Sequence, residues 1–378
     1  MGISLNKWAK RRSDELTFIQ LREGTILGRD AYKVPPGGIY VPILTMEMAR
    51  RIQTVSEDEI VTVPSIIRGT LFLMGIDPEF KFKEMYTTIL ESNAADVKAI
   101  AVDTAKDLEK EGDFSRAALI MRGYQQFAPD DNQAAIILGV LYIRFAGSLE
   151  NPEDPLVSPL MHESLSLLEK LYLENQKDVL LLYYLGIIYQ WQKTYLKAEK
   201  MWQQALDDST NEKEKQMLKK KIQQNDLLAR YEEGYQLILH GKPTDGLDHL
   251  LPMLERDPDW WNLHFFIAMG YQQQGLLQEA IRHYGKVLEI KGFHQQTAIE
   301  LSEIYLARGE HEKAIQWMEE ILLQNPGQSE MLCRMALMKA MTGNIRESFD
   351  MLTQAEDAGG DEQLISGVRN QINALIGN

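Results

Sequence analysis

Seven histidines, one cysteine and several close pairs of acids are the residues of this 378-residue chain suited to chemistry. The histidines are His162, His240, His249, His264, His283, His294 and His311, scattered without ligand spacing. They read as surface or half-buried imidazoles. His162-Glu163 and His311-Glu312 open like the helical zinc-protease motif, but neither is followed by the second His it needs. Gly270 and Gly275 have the glycine spacing of a phosphate loop, with Leu276 where Lys is required. There is no Gly-x-Ser-x-Gly elbow. Asp207 with Asp208, and Asp257 with Asp259, read as helix caps and solubilising charge. Cys333 stands alone, which excludes an intrachain disulfide and a cysteine-based zinc cage and fits a reducing compartment. It reads as a small, partly buried side chain. These observations imply no catalytic residue, no cofactor and no metal.

The residues must then be positioned for something other than catalysis. Forty Lys and Arg against 55 Asp and Glu give a net charge of −15, which repels phosphate backbones and disfavours nucleic acid as a ligand. The basic start Lys7, Lys10, Arg11, Arg12 runs into Asp14 and Glu15, not into the apolar core of an export signal. No apolar run reaches 18 residues, so no membrane span is expected. The expectation is a soluble cytoplasmic protein. Lys7–Arg12 reads as a disordered or loosely docked end, and Lys219-Lys220-Lys221 as a solvated helix face.

Periodicity carries the positive signal. Gly241, Gly275, Gly309 and Gly343 are each 34 residues apart, as are Pro258, Gly292, Pro326 and Gly360, and Ala280, Ala314 and Ser348. A 34-residue period suits two helices and two short turns. From Val179 the chain reads Leu182, Leu185, Gly186, Tyr189, Ala198, Trp202 and Ala205 at positions 4, 7, 8, 11, 20, 24 and 27. From Trp261 it reads Ile267, Ala268, Tyr271, Ala280 and Tyr284, and from Gln295 it reads Leu301, Tyr305, Ala314 and Pro326. In these residues the chain resembles the tetratricopeptide repeat family. The register gives seven repeats, starting at Lys98, Asn132, Val179, Leu227, Trp261, Gln295 and Ser329. Position 8 is Ala105, Gly139, Gly186, Gly234, Ala268, Ser302 and Ala336, and position 20 is Ala117, Ser164, Ala198, Gly246, Ala280, Ala314 and Ser348. All are small, as a close crossing of antiparallel helices demands.

The resemblance implies an all-α, right-handed helical-repeat solenoid of antiparallel helix pairs, preceded by a small mixed or irregular N-terminal region. The expected divisions are 1–63 of unknown fold, 64–97 a possible degenerate capping repeat, 98–362 the seven repeats, and 363–378 a capping helix. Leu364, Ile365, Val368, Ile372 and Leu375 form that helix's apolar stripe. An insertion before Leu227 has no helix breaker and reads as a backward extension of the next first helix. In the N-terminal region Asp14, Glu15, Arg22, Glu23, Arg29, Asp30 and Tyr32 form no recognisable arrangement.

The family also implies that positions 2, 5, 9 and 12 of each first helix line a concave groove binding a protein or peptide partner. Their spacing makes a stripe distinct from the packing stripe at 4, 7, 8 and 11. The candidates are Ile136, Val140 and Ile143; Leu180, Tyr183, Ile187 and Gln190; Tyr231 and Tyr235; and Asn262, Phe265, Met269 and Gln272. Tyr183, Tyr231, Tyr235 and Phe265 are the expected hot spots of one open cavity. Internal cover of that surface, a separate activity in residues 1–97 and homo-oligomerisation are the alternatives. The residue set that clamps a chaperone's C-terminal carboxylate in some family members is absent, with Arg334 and Lys106 as isolated matches. The second repeat carries an expected loop at Gly147–Pro159 with Pro152, Pro155 and Pro159. Limited proteolysis of the native chain should cut first within that loop; first cuts elsewhere in the repeats, with the loop intact, count against the register.

Overall fold

The structure is a computed structural model describing residues 4–28, 32–54, 61–174 and 178–376. It divides into two compact units, Met1–Asn225 and Asp226–Asn378, with one helix crossing the division.

The first unit opens with α1 (Leu5–Lys10), then β1 (Leu16–Leu21), β2 (Ile26–Leu27), β3 (Tyr32–Lys33) and β4 (Ile39–Leu44). β1 pairs antiparallel with β4, and β2 with β3. Helices α2 (Thr45–Thr54), α3 (Val63–Ile76) and α4 (Lys83–Glu91) follow. The expected loosely docked end is instead an ordered helix. Leu5 and Ala9 of α1 are buried, and the Trp8 ring meets Phe145 at 5.1 Å. The cause is apolar residues at i and i+4, one face of a helical turn.

Helix pairs then run along the chain: α5 (Ala94–Lys110) with α6 (Phe114–Phe127), α7 (Asn132–Ser148) with α8 (Val157–Leu173), and α9 (Val179–Trp191) with α10 (Tyr195–Asp208). Position 98, the expected start of the first repeat, lies inside α5. In the 64–97 stretch α3 makes its backbone-close approaches elsewhere. A Cβ on Gly69 would lie 2.0 Å from the Pro42 carbonyl of β4, one on Gly75 would lie 2.0 Å from the Leu119 carbonyl of α6, and one on Gly123 would lie 1.7 Å from the Leu71 carbonyl of α3.

The 28-residue α11 (Glu212–Leu239) carries the backward extension read from the sequence. The second unit continues with α12 (Pro243–Leu250), α13 (Trp261–Gln273), α14 (Leu277–Lys291), α15 (Gln295–Ala307), α16 (His311–Gln324), α17 (Ser329–Met341), α18 (Ile345–Asp357) and α19 (Glu362–Ile376). α12 is cut short where Pro252 removes an N–H, and Leu251–Glu255 tightens into a 3-10 turn.

Turn chemistry explains the glycine series. Gly241, Gly275, Gly309 and Gly343 all have φ between +74° and +82°. The next residue's N–H returns to a carbonyl five residues back: Lys242 to Leu237 (2.9 Å), Leu276 to Tyr271 (2.9 Å), Glu310 to Tyr305 (2.8 Å) and Asn344 to Lys339 (2.8 Å). Lys193 takes the same place after α9 with φ 61°, where a side chain is strained.

Three expectations are corrected. The loop of the second repeat is only Leu149–Leu156, because Val157–Pro159 form the first turn of α8, where a missing proline N–H costs nothing. The capping carboxylates are Asp113, Asp131, Asp178 and Asp361; the N-cap of α13, Trp260, makes no side-chain cap bond, so Asp257 and Asp259 do not serve it. In α19, Ile365, Val368 and Ile372 are buried, while Leu364 and Leu375, in the first and last turns, are exposed.

All fourteen small residues at positions 8 and 20 are buried. At the clearest crossing, Trp202 of α10 lies over Gly186 of α9. Its Nε1 donates to the Tyr183 carbonyl at 3.0 Å, and a Cβ on Gly186 would lie 2.2 Å from that nitrogen. Gly186→Ala should therefore destabilise the protein by about 1–3 kcal/mol through overpacking. The check is the urea midpoint, and an unchanged midpoint would reject the repeat register.

Candidate functional site

The candidate groove residues fall in both units. In the first, Ile136 and Val140 of α7 are buried and Ile143 is half-buried. On α9, Tyr183, Ile187 and Gln190 are half-buried and Leu180 is 47% exposed. The α9 stripe thus stays accessible. Asp178 fixes the start of the helix, its Oδ1 accepting from the N–H groups of Leu180 (2.8 Å) and Leu181 (3.1 Å). The Tyr183 and Tyr184 rings meet in a T-shaped pair at 5.1 Å, and Arg144 donates to the Tyr184 hydroxyl at 3.2 Å. Burial holds the Tyr183 phenol above its ordinary range. Gln190 donates to Asn225 at 3.4 Å.

The second unit differs from expectation. Tyr231 is buried, its ring 4.4 Å from Trp260 and 5.2 Å from Tyr235. Tyr235 in turn stacks on Phe266 at 4.8 Å. Phe265 is buried against Tyr284 (5.7 Å) and His294 (5.5 Å). Tyr231 and Phe265 are therefore core aromatics of the chain, not open hot spots. The reason is lateral: Trp260, in the turn before α13, supplies a ring to the face that α11 presents.

Asn262 and Met269 are half-buried. Gln272 accepts from the Tyr284 hydroxyl at 2.8 Å and donates to Glu300 at 3.0 Å. Gln296 also donates to Glu300 (2.9 Å), while Arg334 bonds Glu303 (2.6 Å) and Glu330 (3.2 Å). Residues 226–378 carry 23 acids and 12 bases, so this unit holds most of the chain's negative charge.

Among the described N-terminal acids, Glu15 is committed to ion pairs with Arg12 and, at 2.5 Å, Arg116. Arg29 and Asp30 lie outside the described residues. Among the described residues no three His, Cys, Asp or Glu side chains gather to hold a metal, and no helix is long and apolar enough to cross a membrane. Cys333 is buried, which pushes its thiol above its ordinary range, away from reactivity.

One constellation escaped the sequence reading. His264 of α13 and His283 of α14, both buried, meet Nδ1 to Nδ1 at 2.9 Å. His264 Nε2 faces the Pro258 carbonyl at 2.8 Å and must donate. Its Nδ1 then accepts from His283 Nδ1–H, leaving His283 Nε2 to accept from Arg282 at 3.2 Å. The available signal was the register itself, since position 4 belongs to the packing stripe.

The repeat geometry and the sequence now meet. The tetratricopeptide repeat family matches residues 271–336, spanning α14 to α16 with the ends of their neighbours. Within those residues the chain carries the tetratricopeptide repeat. Among solved structures, a tetratricopeptide repeat protein from Parabacteroides merdae is similar at 13% identity over 72% of this chain and 97% of that one, with a TM-score of 0.37. PilW, described as a type IV pilus biogenesis factor, is similar at 14% identity over 63% of this chain and 98% of that one, TM-score 0.41. PilF of Pseudomonas aeruginosa is similar at 13% identity over 61% and 93%, TM-score 0.30. Those overlaps are too loose to place any residue of this repeat chain. No curated protein sequence matches it.

His283 of this pair should make the fold sensitive to acid. Burial, with the Arg282 guanidinium beside it, lowers His283 to about 4. A neutral histidine favoured by folding stabilises above its unfolded value near 6.5, and that contribution is lost as pH falls towards 4. Thermal stability should drop by about 2–3 kcal/mol over that window, since the folded value stands at about 4. His283→Gln should flatten the drop. A melting temperature with the same pH slope in both proteins would refute the assignment.

Proposed function

We propose that this chain is a non-enzymatic interaction scaffold whose first helices receive a peptide or helix of a partner protein. Tetratricopeptide repeats generally mediate protein–protein contacts, which sets the class. The observation that carries the finer reading is the α9 stripe. Leu180 is exposed and shares one helical face with the half-buried Tyr183 and Ile187. A contiguous apolar face of this kind marks a contact surface, and a tyrosine beside leucine gives large contact area at low conformational cost.

The filled aromatic cluster of the second unit restricts the proposal to α9 as the apolar anchor. The face of Asn262, Met269 and Gln272 is more polar and is bordered by Glu300. It suits hydrogen-bonding or basic groups on a ligand.

The test is Leu180→Ser with Tyr183→Ser in the full chain. The bond from Trp202 reaches the Tyr183 carbonyl, not its ring, so the crossing at Gly186 survives the change. Helical circular dichroism should remain that of the parent. Affinity capture from native cells, read by mass spectrometry, should lose its specific protein by more than tenfold, because each truncated anchor costs about 2 kcal/mol. Leu323→Ser, at an exposed leucine of α16, serves as the control and should leave capture unchanged. Capture that survives the double substitution refutes α9 as the site.

A further inference from the structure

A histidine caps α15, and its fitness for that place depends on its charge. His294 stands at the N-cap with extended backbone, φ −136° and ψ 107°. Its Nδ1 accepts from the Thr297 N–H at 3.3 Å and lies 2.8 Å from the Thr297 hydroxyl. The usual capping side chains offer an oxygen whose lone pairs stay free at neutral and mildly acid pH. An imidazole nitrogen offers one only while the ring is neutral. Acceptance at Nδ1 leaves the single proton of the neutral ring on Nε2. A second proton must enter at Nδ1, in the space that the Thr297 N–H now uses. The cap bond is then lost, and a full positive charge stands at the positive end of a 13-residue helix.

The elements packed against the ring give that charge no partner. α13 has no Asp, Glu, Lys or Arg, and presents the rings of Trp261 at 5.0 Å and Phe265 at 5.5 Å. An aromatic face attracts a cation, but Trp261 already carries the Lys291 ammonium of α14, 3.9 Å from its ring centre. Glu289 of α14 is bonded to Lys286 at 2.6 Å. The first turn of α15 holds no acid, and Glu300 further along accepts from Gln272 and Gln296. Gln295 is paired with Gln328, at the start of α17, through amide bonds of 2.9 Å and 3.0 Å. Burial, and then Lys291, hold the imidazole below its ordinary range. A ring kept neutral by folding contributes stability above its unfolded value of about 6.5. That contribution is lost as pH falls through the lower folded value.

We propose that His294 is an acid-released latch on the first turn of α15. With the ring neutral, the turn is capped and the imidazole lies against Trp261 and Phe265. With the ring protonated, it leaves the cap for water, the Thr297 N–H loses its acceptor, and the two aromatic rings lose that cover. The place gives the release a consequence. Gln296 of the same turn donates to Glu300 at 2.9 Å, and Gln272 also bonds that carboxylate. The polar first-helix face of the second unit is therefore tied to the turn that the latch controls. The latch lies apart from the α9 stripe, which belongs to the first unit. It also differs from the His264–His283 pair, which joins α13 to α14.

Nuclear magnetic resonance of the full chain, with an isotope label at the histidine Cε1 atoms, reads each imidazole separately, and the spectrum of His294→Asn assigns the signal. His294 should titrate with a midpoint below about 6.5. Below that midpoint its shift should be that of a free imidazolium, because Trp261 and Phe265 no longer lie against it. Hydrogen-exchange protection of the Thr297 amide, corrected for the intrinsic effect of pH, should fall with the same midpoint. The expected fall is about fivefold, the usual worth of an N-cap bond. His294→Asn supplies a cap oxygen that does not titrate, so protection should hold at both pH values. His294→Ala should show low protection at both, and the Asn variant decides the matter if the Ala variant fails to fold. The fall should persist in His283→Gln, which removes the other acid-sensitive histidine; its disappearance there overturns the assignment to His294. A midpoint at or above about 6.5, a ring-current displacement that survives protonation, or an acid response unchanged in His294→Asn overturns the latch.

Discussion

Everything in the repeats depends on two helices crossing where neither has a large side chain. The crossing at positions 8 and 20 leaves room for hydrogen, methyl or hydroxymethyl and nothing more. Three serines stand there, and the hydroxyls of two are bonded inside the contact, while that of Ser348, equally buried, has no partner among the described residues. Ser164 does so by donating to the Gly139 carbonyl at 2.8 Å, and Ser302 by donating to the Ala314 carbonyl at 3.0 Å. The two bonds run between positions 20 and 8 in opposite senses. At these two crossings a polar residue is tolerated at the tightest point because the facing carbonyl is within reach. Large residues then close over the crossing, as Trp202 does above Gly186.

The same device ties the N-terminal region to the first repeats. Gly75 and Gly123 let α3 and α6 approach backbone to backbone, and Gly69 does the same between α3 and β4. Ion pairs reinforce the joint. Glu15 and Asp113 both bond Arg116, at 2.5 Å and 2.6 Å, and α1 closes over the end of α7 through Trp8 and Phe145. Desolvation raises the Asp113 carboxyl, but its bonds to Arg116 and Ser115 outweigh this and hold it below the usual range. The described part of the N-terminal region is thus not a free arm. A repeat starting at Pro64 would have Leu71 at position 8 and Lys83 at position 20, both too large for the small-residue rule, and Leu71 finds its small partner, Gly123, in α6 instead.

Much of the fold was legible because it rests on local rules. The starts of α7, α9, α13, α15 and α17 fall on the residues that open their repeats, and the turn glycines mark left-handed positions. The extension of α11 followed from the absence of a breaker over a whole number of turns. The site was less legible. A periodic stripe says which side of a helix a residue lies on, not what the next segment brings to that side. Trp260 belongs to no repeat position with a rule, yet it buries Tyr231. His264 and His283 are 19 residues apart and join only through antiparallel packing, which ligand spacing along the chain does not detect.

The two kinds of first-helix surface then have different physical uses. Around Tyr231, Tyr235, Phe265 and Phe266 the aromatic area is spent inside the chain, so the rings are fixed and their burial contributes to stability. Gln272, held by Tyr284 on one side and Glu300 on the other, has its amide already oriented. Such a surface loses little conformational freedom on contact, and its polar groups select by geometry and charge. The α9 stripe is the converse. Leu180 is 47% exposed, so burial of that remainder by a ligand would add apolar area without displacing a neighbour already in place. Affinity should therefore reside on α9, because Leu180 is the one candidate aromatic or aliphatic anchor that is exposed, and the half-buried Tyr183 and Ile187 share its face.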